Sequence, residues 1–320
     1  MTTSITRRLV LGLAGATMLA LGGTAAQAAD APRIGFMIWN TSVPFYSNLI
    51  KTAEQTAKDL GVELNIQSGN GDLATQISVV QQFIAQDVDM ILIAPSDPQG
   101  IVPVIRQATA AEIPVMAVNT TADTSTGAKL VTYVGVDDFV FGQRQGELLA
   151  QAVGENAKVA YILGKLGTSA QLAREAGLMD TLKKHPGIQI IEKQAADWDN
   201  SKALAITQDF LSKYPKGELD AIVDQGPEGV NGAQFATENG RTDVKFILGD
   251  YPADVRNAII KGTVLGTVNQ DPAPQGKFAI EDAVKFLSGK ASEVPSPNHY
   301  LDLPIITKDN VEQHPAAWGG

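Results

Sequence analysis

No cysteine occurs among the 320 residues. Disulfides, thiolate nucleophiles, cysteine-ligated metals and a lipid-modified N-terminal cysteine are thereby excluded. Histidine is nearly as scarce, with 3 in the chain, His185, His299 and His314. Their spacing supports neither a metal triad nor a nucleophile–base constellation, and each reads as a solvated loop residue. Positive charge is short as well, 25 Lys and Arg against 35 Asp and Glu, a net −10. A chain this acidic lacks the basic footprint that nucleic acid or an anionic membrane surface requires. No phosphate loop is present, because "GKLGTS" lacks the GxxxxGK[ST] order. The longest apolar run, Leu9 to Leu21, contains glycines and falls short of the roughly 20 residues needed to span a bilayer.

That run sits between Arg7–Arg8 and "TAAQAAD". Charged, apolar and small-residue regions in this order predict a secretory signal over residues 1–29, cleaved near Ala28. The "TRR" pair also allows twin-arginine export. A chain of this length suggests two domains of about 150 residues each, large enough to bury cores without disulfides.

What is present, from Arg33 onward, is alternation. "IGFMIW" reads as a buried strand, and "PFYSNLIKTAEQTAKDLG" as a helix with Phe45, Leu49, Ala53, Thr56 and Leu60 on one stripe. "VELNIQ" follows as a strand, then a helix capped by Asp72 with Leu73, Ile77, Val80 and Ile84 on one face. "VDMILIAP", "IVPVIRQATAAE" and "IPVMAVN" continue as strand, helix and strand. A second set begins at "KVAYILG" and runs through "IQIIEK", "LDAIVDQ", "VKFILGD" and "GTVLGTVNQ", with helices near 168–184, 201–214, 228–239 and 253–261. One long helix, Gln275–Ser288, and a late strand, "LDLPIIT", are left over. Two successive βα sets predict two similar doubly wound parallel-sheet α/β lobes, with the leftover elements returning across the junction. Gly142 and Gly146, four apart on a helix, are expected to allow close packing against a strand.

In open α/β sheets ligands bind beyond the carboxyl ends of the strands. That rule selects Asn40–Tyr46, Ala94–Asp97, Asn119–Thr120, Gly164–Ser169, Asp197–Asp199, Asp224–Glu228, Asp250–Tyr251 and Asn269–Asp271, a set rich in polar groups. Phe45 and Tyr46 stand out there, since two adjacent rings after a proline either join the core or await a ligand.

The motifs "PFYSNL", "GDLATQISVVQQFIAQDVDMILIAPSD", "GVDDFVFGQRQGELLA", "GTSAQLAREAGL", "QAADWDNSKAL" and "GTVNQDPAPQGKFAIE", in this order and spacing, carry a family resemblance. Nearly the whole chain after the signal resembles the type I periplasmic binding proteins, in particular the ribose-binding group that feeds sugar ABC transporters. The resemblance implies a three-segment hinge, an N-terminal lobe of residues 30–136 plus 271–300 and a C-terminal lobe of residues 137–270 plus 301–320. It implies a monomer in the periplasm, without cofactor or catalysis, that holds a small carbohydrate or polyol and delivers it to a membrane permease. Matched position by position, it assigns ligand contacts to Asn40, Phe45, Tyr46, Asn119, Arg174, Trp198, Asp250 and Gln270. Some members place the arginine two residues earlier, where this chain has Leu172; a surface arginine and a helix-capping aspartate are the structural alternatives for Arg174 and Asp250. Aromatic faces suit the C–H surface of a sugar while polar groups meet its hydroxyls.

The departures from the pattern bear on the ligand. Ala94 stands where an asparagine is usual, Asn119–Thr120 where an Asp-Arg pair is, and Gly226–Pro227 where an Asn-Asp pair is. Loss of those contacts argues against ribose and for another neutral monosaccharide or a sugar alcohol. Two alternatives from other classes are a periplasmic sensor of a sugar-like signal and a secreted glycoside hydrolase using Asp197 and Asp199.

Overall fold

The computed structural model describes residues 31–319; the candidate export signal and its cleavage point near Ala28 lie outside the described residues. In chain order the elements are β1 (Arg33–Ile38), α1 (Pro44–Leu60), β2 (Glu63–Ser68), α2 (Leu73–Ala85), β3 (Met90–Ile93), α3 (Val102–Ala110), β4 (Val115–Val118) and β5 (Tyr133–Gly135). Then come α4 (Asp138–Val153), β6 (Ala157–Leu163), α5 (Ser169–Leu182), β7 (Ile188–Ala195), α6 (Asn200–Lys213), β8 (Ala221–Asp224) and α7 (Val230–Glu238). The series closes with β9 (Lys245–Gly249), α8 (Ala253–Lys261), β10 (Gly266–Val268), α9 (Pro272–Leu287), β11 (Asn298–Tyr300) and β12 (Ile305–Thr307).

Two 6-stranded sheets result, ordered β11-β5-β4-β3-β1-β2 and β12-β10-β9-β8-β6-β7. All pairings are parallel except β10 with β12. The central strands β3, β4 and β8 are buried along their whole length, as strands covered on both faces must be. The chain passes from one sheet to the other three times, after β5, after β10 and after β11. Val136, Val268 and Leu303, one from each crossing, pack with Phe141 into a small apolar cluster at the junction. That topology is the three-segment hinge expected above.

Phe45 and Tyr46 are in the first turn of the expected helix, α1, with Pro44 at a position that needs no N–H donor. Several local expectations need correction. The α1 stripe ends in Ala57, while Leu60 is 45% exposed at the left-handed Gly61 cap. On α2 the buried face is Gln76, Val79, Val80 and Phe83, whereas Leu73, Ile77 and Ile84 lie at its margin. Periodicity located this helix but set its rotation off by about one residue. Strands β5 and β11, three residues each, are too short for an alternation signal.

Gly142 and Gly146 pack against a helix. A Cβ on Gly142 would lie 1.9 Å from the Arg174 carbonyl oxygen, and one on Gly177 1.9 Å from that of Phe139. Helices α4 and α5 are thus in backbone contact, which positions Arg174 at the edge of the cleft. His299 is also no loop residue: it lies in β11, where its Nδ1 is 2.6 Å from the fully buried carboxyl of Asp282.

Candidate ligand site

The carboxyl ends of both sheets face a common cleft enclosing about 770 Å³, within the range of small-molecule sites. All eight residues singled out by the sequence line it: Asn40, Phe45 and Tyr46 after β1, Asn119 after β4, Arg174 on α5, Trp198 before α6, Asp250 after β9 and Gln270 after β10. Both lobes contribute and touch across the opening, where Ser169 Oγ accepts from the Thr121 N–H at 3.0 Å.

One wall is aromatic. Phe45 packs edge-on to Tyr46 at 5.4 Å and to Trp318 at 5.5 Å between ring centroids, and Trp39 lies 6.1 Å from Tyr46. Phe45 is only 7% exposed, so it serves the core and the cleft together. From the other lobe Trp198 lies over Gly164, where a Cβ would come within 1.9 Å of the indole. Glycine there is required by the close approach of the ring. The turn that carries Trp198 holds both Asp197 and Trp198 at positive φ, 57° and 61°, a conformation an aromatic residue rarely adopts outside a functional turn.

The Asn119 side chain is held by its neighbours. Tyr46 Oη donates to Asn119 Oδ1 at 2.7 Å, and Asn119 Nδ2 donates to Oε1 of Gln270 at 3.3 Å and of Gln275 at 3.2 Å. Its amide positions the Tyr46 hydroxyl and Gln270, both of which line the cleft. Burial pushes the Tyr46 phenol well above its ordinary pKa, so it is a neutral donor and acceptor.

Arg174 is 3% exposed and no surface residue. Its Nε donates to Asp138 Oδ1 at 2.8 Å, its Nη1 to the Gln225 carbonyl at 2.7 Å, and Nη1 lies 3.9 Å from Asp250 Oδ1. The guanidinium stacks on Phe141 at 3.8 Å from the ring centroid. Burial raises the carboxyl of Asp138 against the pull of Arg174. Asp250 is likewise pushed up by burial, to about 6, with Arg174 and Gln270 opposing. It sits at a φ of 59° and caps no helix, since the N-cap of α8 is Pro252, with no side-chain cap.

Two cleft residues, Glu228 and Trp318, and the partner of a third, Asp138, escaped the sequence reading. Glu228 was within the carboxyl-end set, but nothing in its surroundings marked its side chain as turned inward. Asp138, in the first turn of α4, is visible only once α5 is packed against α4. Trp318, in the tail after the last strand, belongs to no βα unit. The indole packs on Phe45 while the backbone carbonyl of Trp318 accepts from Ala253 N–H at 2.9 Å.

The hydrolase alternative fails on geometry. Asp199 caps α6, accepting from the Lys202 N–H at 2.8 Å, and Asp197 pairs with Lys202 at 2.8 Å and Lys165 at 3.7 Å. Neither is an acid–nucleophile pair held in a desolvated site. Among the described residues no group of His, Asp or Glu converges to hold a metal ion, and no helix is long and apolar enough to cross a membrane.

Two α/β sheets that present their carboxyl edges, aromatic walls and buried polar groups to one enclosed cleft define a two-lobed solute-binding protein. Comparison with known proteins places the chain more closely: a family model described as periplasmic binding protein domain matches residues 34–291, and the chain belongs to that family. A xylitol-binding protein of Mycolicibacterium smegmatis is 30% identical over 301 residues, covering 93% of this chain and 83% of the relative. A ribose import binding protein of Bacillus subtilis is 30% identical over 257 residues, covering 80% and 82%. Among solved structures, a solute-binding protein of an ABC transporter from Actinobacillus succinogenes with bound D-allose superposes with a TM-score of 0.79 at 26% identity, covering 88% of this chain and all of that one.

Proposed function

We propose that this protein captures a small polyhydroxylated solute, a monosaccharide or sugar alcohol, and delivers it to the membrane permease of an ABC transporter. The observation that carries the reading is the pairing of aromatic faces from both lobes with buried polar atoms that lack partners. Trp39 Nε1, Glu228 Oε2 and Asp250 Oδ1 are buried and without a hydrogen-bond partner among the described residues. Such atoms are expensive to leave unpaired, and a ligand with several hydroxyls would satisfy them. The relatives that bind xylitol, ribose and D-allose support the same class.

Asn40, Phe45, Tyr46, Asn119, Arg174, Trp198, Asp250 and Gln270 form the ligand set in this reading, with Asn119 acting through Tyr46 and Gln270. Residues 30–136 plus 271–300 move as one lobe and 137–270 plus 301–320 as the other. Closure buries the ligand and shifts the open–closed population, producing the surface the permease reads. The protein works in the periplasm after removal of residues 1–29, as its family suggests.

The test is thermal unfolding of the mature protein against pentoses, hexoses, disaccharides and sugar alcohols, with amino acids as controls. A true ligand at about 1,000 times its Kd adds about 4 kcal/mol of stability, a rise of several degrees in Tm. Stabilisation by amino acids alone would refute the reading.

A further inference from the structure

The cleft carries an excess of buried acid. Among the described residues Arg174 is the one buried cation, against Glu228 and Asp250, which line the cleft, and Asp138, Asp224 and Asp282, which do not. Asp138 is engaged by Arg174 at 2.8 Å. Lys165 and Lys202 both pair with Asp197, which lines the cleft. Of the two buried acids that line the cleft, Asp250 lies 3.9 Å from Arg174 Nη1, which leaves Glu228, 8% exposed, with an Oε2 that has no partner.

Gly226 explains how this carboxylate comes to be there. A Cβ on Gly226 would lie 2.1 Å from Glu228 Oε2 and 3.1 Å from Trp198 Cε3. The carboxylate therefore occupies the space that a side chain at position 226 would take, beside the Trp198 indole. A neutral polyol meets such a group without penalty only while the carboxyl stays protonated; it leaves the charge of the ionised form uncompensated in a closed site. An ammonium supplies three donors and the missing charge, and an adjacent indole face adds a favourable quadrupole.

Resting on the reading of this cleft as a polyol site, we infer that its ligand is a small polyol bearing one ammonium group, an amino sugar, amino-alditol or aminocyclitol, with the nitrogen at Glu228 beside Trp198. Burial raises the Glu228 and Asp224 carboxyls in the ligand-free protein, and the ammonium draws the former back to its charged form. Here the ligand class moves from the neutral sugar expected of the sequence to a cationic one.

The experiment is calorimetric titration of the mature protein near neutral pH with matched pairs: D-glucosamine and D-glucose, 1-amino-1-deoxysorbitol and sorbitol, an amino-deoxy-inositol and myo-inositol. One amine should bind about tenfold or more tightly than its parent, the scale of a desolvated charge-assisted contact. Glu228→Gln should abolish that preference, leaving amine and parent polyol with equal affinity. Gly226→Asn, which displaces the flexible end of Glu228 and shifts the Trp198 indole by a few tenths of an ångström, should do the same and guards against a Glu228→Gln variant that does not fold. Parents that bind as well as the amines, or a preference that survives both variants, would overturn the inference and leave the polyol reading standing. Silence from every member of the panel would overturn both together.

Discussion

Arg174 and Asp138 meet across the seam between α5 and α4, Nε donating to Oδ1 at 2.8 Å with both side chains nearly inaccessible to solvent. Removing one partner of a buried pair leaves the other uncompensated and typically costs 3–5 kcal/mol. Arg174→Ala is expected to lower stability by about that amount and to abolish ligand binding. Arg174→Lys should fare little better, because an ammonium cannot serve Asp138, the Gln225 carbonyl and the Phe141 face together. Denaturant titration and calorimetry on both variants check this.

The glycine seam beneath that pair predicts a structural effect on binding. Gly142→Ala or Gly177→Ala drives a methyl into a backbone carbonyl, and forced separation of α4 from α5 should cost about 2 kcal/mol or more. Gly142 abuts Arg174 itself, so that variant should also weaken binding. A Tm equal to wild type would contradict the packing described.

Aromatic residues of the two walls should behave differently. Trp198 is half-buried and rests on a turn, so Trp198→Ala is expected to weaken binding about tenfold or more with little change in Tm. Phe45 is a core residue too, and Phe45→Ala should lose about 3 kcal/mol of stability as well as affinity. Trp318→Ala should loosen the closed form, since it removes the ring that packs on Phe45 from the tail bonded to Ala253. Small-angle scattering with saturating ligand would show the larger radius.

The buried acids make stability depend on pH in a defined sense. Burial raises Asp224, Glu228 and Asp250, the last from 3.8 to about 6. Groups raised in the folded state contribute stability that is fully present below their unfolded pKa and is lost as pH climbs through the folded value. The ligand-free protein should therefore melt lower as pH rises from about 5 to about 8, with Asp224→Asn flattening the slope. Glu192, held down to about 2 by Lys213 and Tyr214, acts in the opposite sense at more acid pH, outside that interval. A wild-type Tm that increases over it would contradict the burial of these carboxyls.

Much of this architecture was legible before any coordinates. Near-continuous apolar runs such as "VDMILIAP" and "IPVMAVN" can only be strands covered on both faces, and their alternation with capped amphipathic segments dictates parallel sheets. The carboxyl-end rule then located the cleft, since it follows from chain direction alone. What periodicity could not supply was rotation and long-range pairing. The face of α2 was off because one residue turns a helix by about 100°, and β5 and β11 pair with neighbours too distant in sequence to leave a local signal. For Arg174 the sequence left a ligand contact and a solvated helix residue side by side, until Gly142 and Gly177 brought Asp138 against it. Glu228 was one acid among 35 Asp and Glu until the missing side chain of Gly226 let it turn inward beside Trp198. Local chemistry determined the elements and the edge where a ligand binds; tertiary packing decided which charges face that ligand, because burial and partners are properties of the assembled interior.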